Sequence, residues 1–336
     1  MTELNKICLK ILSNGKGILA ADESTGTMTK RLESVNVASN EENRLIFRKS
    51  LFSSSCMKDC IGGVILYDET IKQSFETKTI PELIYENGAV PGIKVDTGAK
   101  VLAGSKDEKI TEGLDGLRER LKEYYKLGAR FTKWRGVYTI SDKYPSKLAM
   151  HSNAHALARY AALVQECNMA PIVEPEVLMD GNHSALTCYE KTLEVLKRCF
   201  EELIIHKVDL TGIILKPNMI LDGTNSKEKI SSDEVSDLTL KCLKEAVPEE
   251  VPGIAFLSGG QSEMDATENL NLINKKNYTK FIMTYSYGRA LQQSALKHWS
   301  KNIKDIEGTQ KIFNHRANMC TLAAQGKWSK ELEIQV

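Results

Sequence analysis

Eight short apolar runs recur along this 336-residue chain and restrict its fold more than any other feature. They cover residues 17–21, 63–67, 92–95, 130–134, 171–176, 212–216, 253–257 and 281–285. Segments with helical spacing of apolar residues separate most of them. Strands that alternate with helices pair in parallel, so eight such units predict an α/β fold, a (β/α)8 barrel rather than an open sheet.

The helical segments have recognisable ends. One, over residues 114–125, stops near Gly128, a second covers 193–203, and a third opens with a capping box from Ser231 to Glu234. Apolar residues among the first twelve positions predict an extra helix on the surface. We expect one domain over 1–336, with a barrel core at about 15–299 and a short helical segment over 300–336.

Charged or polar residues follow nearly every apolar run. They are Asp22, Asp68, Lys94, Asp96, Lys133, Arg135, Glu174, Glu176, Lys216, Ser258 and, past Ser286, Arg289. Barrel active sites lie at the carboxyl ends of the strands, so we expect these side chains to converge on one mouth. Charges are costly to bury unless they pair, which argues against a purely structural pattern.

Lys216 ends the sixth apolar run, and Pro217 stops the strand behind it. Burial disfavours an ammonium group, and nearby Lys133 and Lys94 would disfavour it further. A neutral amine in a dry pocket attacks a ketone or aldehyde to give a Schiff base. On this segment alone, a strand-end lysine that reaches water is an equal alternative.

Two glutamates in the fifth run add the capacity for proton transfer. Glu174 and Glu176 are two apart on a strand, so both should face the pocket. Paired carboxylates can take separate acid and base roles when their environments differ. Simple charge balance for the lysines is the alternative, and the two roles are compatible.

Two clusters indicate phosphate binding. Ser258, Gly259 and Gly260 follow the seventh run, and Ser286, Gly288 and Arg289 follow the eighth, where barrels commonly bind phosphate. The other cluster contains Ser24, Thr27, Lys30 and Arg31. The alternative to phosphate binding here is a helix cap followed by a solvated helix face.

Composition excludes several classes of function. The net charge of +1 gives no indication of the positive surface that binds nucleic acid or an anionic membrane. No apolar run is long enough to span a bilayer. Eight cysteines without framework spacing indicate reduced thiols, which predicts the cytoplasm.

Neither a metal nor a cofactor is expected. His151 and His155 are four apart without the intervening glutamate of a zinc motif, and we expect the other histidines (His183, His206, His298 and His315) to be scattered. Dinucleotide binding is not indicated, because no Gly-x-Gly-x-x-Gly follows a strand.

Several motifs together resemble the class I, Schiff-base-forming fructose-bisphosphate aldolase family. They lie at residues 15–26, 92–96, 133–135, 173–176, 215–219, 256–263 and 286–292, with a last match at 324–327. The resemblance implies a (β/α)8 barrel, a homotetramer, a sugar phosphate substrate and a metal-free lyase of glycolysis and gluconeogenesis.

The same resemblance implies roles for five residues. Lys216 forms the imine with the substrate ketone, and Glu174 moves protons as the carbinolamine forms and dehydrates. Asp22 lies beside the imine and the C3–C4 bond and helps to cleave it. Lys133 polarises the substrate, and Glu176 tunes Lys216 and its neighbours.

Substrate contacts carry over in the same way. Ser258, Gly259, Ser286, Gly288 and Arg289 resemble the site for the C1 phosphate, and Ser24, Thr27, Lys94 and Arg31 resemble the C6 side; Gly260 and Arg135 complete the predicted set. The implied reaction is reversible cleavage of fructose 1,6-bisphosphate into dihydroxyacetone phosphate and glyceraldehyde 3-phosphate. Another ketose phosphate (fructose 1-phosphate, or sedoheptulose or tagatose bisphosphate), a transaldolase or an added scaffold role remain alternatives.

Two positions depart from the family pattern. Thr27 stands where the family often has serine, which keeps the hydroxyl group. The family's tail usually ends in a tyrosine that assists proton exchange at the enamine, whereas residues 331–336 contain none. We expect this departure to affect enamine protonation and the preference between bisphosphate and monophosphate substrates.

Overall fold

Eight parallel strands form a closed barrel in the computed structural model, which describes residues 1–334. The strands are β1 (Gly17–Ala20), β2 (Ile61–Leu66), β3 (Val90–Lys94), β4 (Phe131–Tyr138), β5 (Ala170–Val177), β6 (Ile214–Leu215), β7 (Gly253–Phe256) and β8 (Ile282–Tyr287). The last strand pairs with the first, with Ile18 opposite Ser286. The predicted (β/α)8 barrel is confirmed. Each predicted apolar run overlaps one strand, and the run and strand boundaries differ by at most four residues.

Helices occupy most of the connections between strands. They are α1 (Glu3–Leu12), α2 (Thr25–Glu33), α3 (Glu41–Phe52), α4 (Met57–Cys60), α5 (Asp68–Ile71), α6 (Ile80–Glu86), α7 (Leu117–Lys126), α8 (Lys147–Glu166), α9 (Ala185–Ile205), α10 (Ser232–Ala246), α11 (Glu263–Lys276), α12 (Arg289–Trp299) and α13 (Ile306–Ala324). Two short antiparallel hairpins join Ser74–Phe75 to Lys78–Thr79 and Gly98–Val101 to Lys109–Glu112. Within residues 1–334, no helix has the length and apolar character needed to cross a membrane.

Local signals explain the helix boundaries. Ser231 caps α10, and Glu234 completes the predicted capping box. Helix α7 ends just before Gly128, whose φ of +107° suits glycine. Beyond α12, the predicted C-terminal helical segment contains α13 and a short 3-10 turn at Lys330–Ile334, and residues 335–336 lie outside the described part of the chain.

The first helix closes the amino-terminal end of the barrel, and the prediction of a surface helix is wrong in this respect. The side chains of Cys8, Ile11 and Leu12 on this helix are fully buried. They belong to the apolar cluster that fills the barrel interior and that also contains Ile65 and Phe131. The outer face of this helix is polar. The spacing of its apolar residues is therefore the same as in an amphipathic helix that packs on the side of a domain, and it does not reveal that the helix covers the barrel end.

A glycine in β2 permits this close approach. A Cβ atom at Gly62 would lie 1.8 Å from the backbone oxygen of Ile11, so no larger residue fits while α1 keeps its position. Gly26, in the exposed first turn of α2, makes a matched contrast, because a Cβ there would meet nothing within 4 Å.

We predict that Gly62→Ala lowers the free energy of unfolding by about 3 kcal/mol, because the methyl group displaces α1 from the barrel end. Urea denaturation followed by circular dichroism measures this change. Gly26→Ala, the control, should be neutral or slightly stabilising. Equal stability of the two variants would contradict the close packing of α1 on β2.

Candidate active site

A cavity of about 1250 Å³ opens at the carboxyl ends of the strands. Its lining includes the predicted residues Asp22, Ser24, Thr27, Arg31, Lys94, Asp96, Lys133, Arg135, Glu174, Glu176, Lys216, Ser258, Gly259, Gly260, Ser286, Gly288 and Arg289. Side chains that are up to 267 positions apart in the sequence therefore share one site. The expected convergence on one mouth is confirmed for these residues.

Asp68 is the exception, and its predicted place in the mouth is wrong. It is the first residue of α5, and its carboxylate accepts a hydrogen bond from the Tyr124 hydroxyl at 2.8 Å. Lys72, one helical turn later, pairs with the same oxygen at 2.8 Å. Because helix α5 begins immediately after the strand segment, the chain turns this carboxylate toward the helix layer.

Four charged groups form an alternating chain on the floor of the cavity. Lys216 Nζ lies 3.1 Å from Glu174 Oε1, and Lys133 Nζ lies 3.4 Å from Glu174 Oε2. Lys133 Nζ also lies 2.6 Å from Asp22 Oδ2. Three of these side chains are at most 5% exposed and that of Asp22 is 14% exposed, so each charge depends on its neighbours rather than on water.

Strand register brings these groups together. Lys94 on β3 pairs with Lys133 on β4, and Arg135 on β4 pairs with Glu174 on β5. Leu215 on β6 pairs with Val173, which places the next residue, Lys216, beside Glu174. The backbone N–H of Lys216 donates to the oxygen of Val173 at 2.8 Å, so the ladder continues to the lysine itself.

The cluster controls the charge of its members. Burial alone would raise the pKa of Asp22, but Lys133, Lys216 and Lys94 together lower it to about 2. Burial alone would lower the pKa of Lys133, but Asp22, Glu174 and Asp96 outweigh burial and raise it. The prediction from the sequence considered only the ammonium groups around Lys216, whereas the carboxylate of Glu174 lies between Lys133 and Lys216.

Glu174 is held as a carboxylate by the same contacts. Burial raises its pKa, but the cations of Lys216, Lys133 and Arg135 outweigh burial and lower it below the ordinary value. Glu176 also lines the cavity, as predicted, but its ion pair is with Arg135. The two carboxylates therefore occupy different charge environments on one strand face.

The loops after β7 and β8 offer an anion site. Gly288 precedes α12 without a side-chain cap, so the first amides of that helix are free to bind an anion. The buried Oγ of Ser286 has no hydrogen-bond partner within residues 1–334. Gly259 is tightly enclosed, because a Cβ there would lie 3.0 Å from Leu257 and 3.1 Å from Glu176, and Gly260 has a φ of +77°.

The other cation-rich part of the cavity lies around α2. Ser24 caps this helix, and its Oγ lies 3.1 Å from the Thr27 hydroxyl. The predicted cap is therefore confirmed, but the predicted solvated face is wrong for Arg31, whose side chain is 11% exposed and lines the cavity together with Ser24 and Thr27. Arg31 forms an ion pair with Glu23, and two of its nitrogens remain without a partner within residues 1–334.

The cavity lining also contains residues that the predicted site set lacks, among them Glu23 and Lys297. Glu23 directly follows Asp22 at the end of the first run, so its position was a usable signal. Lys297 lies eight residues after Arg289 on α12, a spacing that places both on one helical face.

The histidines are less scattered than the sequence indicated. His155 on α8 and His206 just after α9 both lie close to the buried carboxylate of Glu202. None of these three residues lines the cavity at the strand ends. The prediction is wrong for this group because the packing of two helices, rather than one motif, brings the residues together.

Comparison with known proteins identifies the family of this chain. The family profile described as "Fructose-bisphosphate aldolase class-I" matches residues 3–335. A probable fructose-bisphosphate aldolase class 1 of Xylella fastidiosa is 48% identical over 328 residues, which cover 97% of this chain and 98% of the relative. A non-muscle type aldolase of Lethenteron camtschaticum is 50% identical over 329 residues, covering 97% of this chain and 90% of its own.

A solved structure gives the same result for the fold. The structure of fructose-bisphosphate aldolase from Plasmodium falciparum, in complex with TRAP and a small-molecule inhibitor, superimposes with a TM-score of 0.95 at 42% identity. The match covers 97% of this chain and 95% of that one. On the profile, the relatives and the fold together, this chain belongs to the class I fructose-bisphosphate aldolase family.

Proposed function

We propose that this chain catalyses the reversible cleavage of fructose 1,6-bisphosphate into dihydroxyacetone phosphate and glyceraldehyde 3-phosphate, as a lyase of glycolysis and gluconeogenesis. The reaction proceeds through a Schiff base on Lys216. The observation that carries this proposal is the placement of Lys216 Nζ 3.1 Å from Glu174 in a cavity with cationic groups on both sides. Membership of the family agrees with it.

Glu174 serves first as the base and then as the acid. Lys216 must lose a proton before its nitrogen attacks the ketone, and the carboxylate at 3.1 Å is placed to accept it. Loss of that cation removes one of the charges that lower the pKa of Glu174. The protonated Glu174 then returns the proton to the carbinolamine hydroxyl, which leaves as water when the imine forms.

Cleavage of the C3–C4 bond uses the imine as an electron sink. Glu174, a carboxylate again after the dehydration step, accepts the proton of the C4 hydroxyl as the C3–C4 bond breaks, and glyceraldehyde 3-phosphate leaves. The bonding electrons pass into the imine and give an enamine on Lys216. Asp22 and Lys133, joined at 2.6 Å, stabilise charge beside this bond. The proton held by Glu174 then passes to C3 of the enamine, and hydrolysis of the resulting imine by water releases dihydroxyacetone phosphate.

The two phosphates bind at the two anion-binding parts of the cavity. The C1 phosphate binds the free backbone amides at the start of α12. The residues around it are Ser258, Gly259, Gly260, Ser286, Gly288 and Arg289. The C6 phosphate takes Ser24, Thr27, Lys94 and Arg31. Glu23 holds Arg31 in place until the phosphate binds, and Glu176 positions Arg135 and tunes the lysines.

We extend the proposal to assembly and location. The chain acts as one aldolase domain over 1–336 and assembles as a homotetramer in the cytoplasm, as family membership supports. Each of the eight cysteines is a free thiol, which agrees with a reducing compartment. All family motifs noted in the sequence, apart from the last match at 324–327, contribute residues to the cavity.

Borohydride reduction in the presence of fructose 1,6-bisphosphate tests the covalent step. We predict a reduced adduct on the peptide that contains Lys216, because hydride converts the imine into a stable amine; peptide mass mapping detects it. Lys216→Met should abolish trapping, whereas Lys244→Met, at an exposed ion pair with Glu249, should leave it intact. Folded wild-type protein that gives no adduct would disprove the imine.

Kinetics on two ketose phosphates tests the assignment of the phosphates. We predict that Arg31→Ala lowers kcat/KM for fructose 1,6-bisphosphate by roughly 10- to 100-fold, the equivalent of about 1.5–3 kcal/mol for a charged hydrogen bond. The same variant should change kcat/KM for fructose 1-phosphate little, whereas Arg289→Ala should impair both substrates. If Arg31→Ala impairs both equally, the two sites are wrongly assigned.

The low pKa of Asp22 predicts an acid-dependent part of the folding stability. The pKa of Asp22 is about 2 in the folded chain, below its ordinary value of 3.8, so ionised Asp22 stabilises the fold. This contribution is complete above the unfolded pKa and falls as the pH drops toward about 2. Between about pH 5 and pH 3, the wild type should lose about 1 kcal/mol more than Asp22→Asn. Urea denaturation at the two pH values measures the free energy of unfolding. An equal loss of stability in the wild type and in Asp22→Asn would contradict the ion pairs of Asp22.

A further inference from the structure

Three side chains of the kinds that bind zinc meet between α8 and α9. Single ligand atoms of His155, Glu202 and His206 all lie within 4.8 Å of one another. Imidazole and carboxylate groups are common protein ligands of Zn²⁺. We propose that these three residues form a zinc site on the outer surface of the barrel, separate from the catalytic cavity.

The distances suit a shared ion. Two atoms that bind one tetrahedral zinc at about 2.1 Å lie about 3.4 Å apart. His155 Nδ1 lies 3.1 Å from Glu202 Oε2, and His206 Nδ1 lies 3.7 Å from the same oxygen. The rings of His155 and His206 meet edge to face with centroids 4.8 Å apart. Small side-chain rotations are therefore enough to bring the ligands to one ion.

Outer contacts orient the ligands. Arg198 Nη2 donates to Glu202 Oε1 at 3.0 Å, which leaves Oε2 toward the histidines. His206 Nδ1 also contacts the backbone oxygen of Glu202 at 2.9 Å, a hydrogen bond that this nitrogen exchanges for the ion when zinc binds.

Burial makes a cation useful at this position. The side chain of Glu202 is 4% exposed, whereas those of His155 and His206 are 45% and 21% exposed. A buried carboxylate is costly unless it pairs, and Arg198 divides its charge between Glu202 and Glu201. Zinc would neutralise Glu202 and link the two helices.

A fourth ligand can reach the ion. His151, one turn before His155, is not that ligand, because its Nδ1 is hydrogen-bonded to Arg198 Nη2 on the Oε1 side of Glu202. His155 also lines a second cavity of about 620 Å³, between α8 and the segment 97–115, through which water can enter. A water molecule therefore completes a four-coordinate site.

Zinc titration of chelator-treated full-length protein tests this proposal. We expect one Zn²⁺ per chain by calorimetry, together with a zinc-dependent rise in the melting temperature. Removing an outer-shell partner typically weakens metal binding about 10–100-fold, so His155→Ala, which removes a ligand, should weaken it on the order of 100-fold or more. His206→Ala should do the same.

A matched control uses another paired histidine. His298 lies on α12 and pairs with Asp305 at 2.8 Å, and His298→Ala should retain wild-type zinc affinity and the rise in melting temperature. Unchanged zinc binding in both His155→Ala and His206→Ala, or no zinc-dependent change in the wild type, would overturn the proposal, and the histidines would then serve only as hydrogen-bond partners of Glu202.

Catalysis provides an independent readout. Because the zinc ligands do not line the catalytic cavity, aldol cleavage should continue at the wild-type rate after chelator treatment and in His155→Ala. Loss of cleavage on chelation, with restoration by zinc, would contradict both the separation of the two sites and the metal-free mechanism. Failure to bind zinc with normal cleavage would overturn the zinc site alone.

Discussion

The structure depends on a balanced set of buried charges at the barrel mouth. Asp22 and Glu174 alternate with Lys133 and Lys216, and the four charges sum to zero. Each ion costs several kcal/mol to desolvate, which only its partners can offset. Removing one group therefore leaves a buried charge without a partner and changes the protonation of its neighbours. The same coupling makes the cluster suitable for moving a proton.

The two ends of the barrel divide stability from chemistry. At the amino-terminal end, α1 inserts Ile11 and Leu12 into an apolar interior, and Gly62 allows the helix backbone to approach β2. At the carboxyl end, the strands give way to charged side chains and glycine-containing loops. A packed apolar core below the mouth limits the access of water from that side, which strengthens the electrostatic interactions above it.

Carboxylates outside the four-group cluster organise the arginines of the mouth. Glu23 pairs with Arg31, and Glu176 pairs with Arg135. An arginine held in this way loses less side-chain freedom when an anionic substrate arrives, because its orientation is already restricted. The site thus combines positive charge with arginine side chains of restricted orientation. Glu23, Glu176 and Asp96 add negative charge to the lining of a cavity that binds anions.

The sequence by itself determined the eightfold alternation of strands and helices and most residues of the mouth. Short apolar runs between helical segments favour buried strands, and the residues at the ends of most runs come together at the mouth once the barrel closes. Asp68 was wrongly placed because the local start of α5 redirects its side chain. Only the tertiary structure decided which charges pair, that α1 closes the barrel, and that His155 meets His206. Those contacts join residues distant in sequence, and their distances depend on strand register and helix packing, which spacing along one chain does not encode.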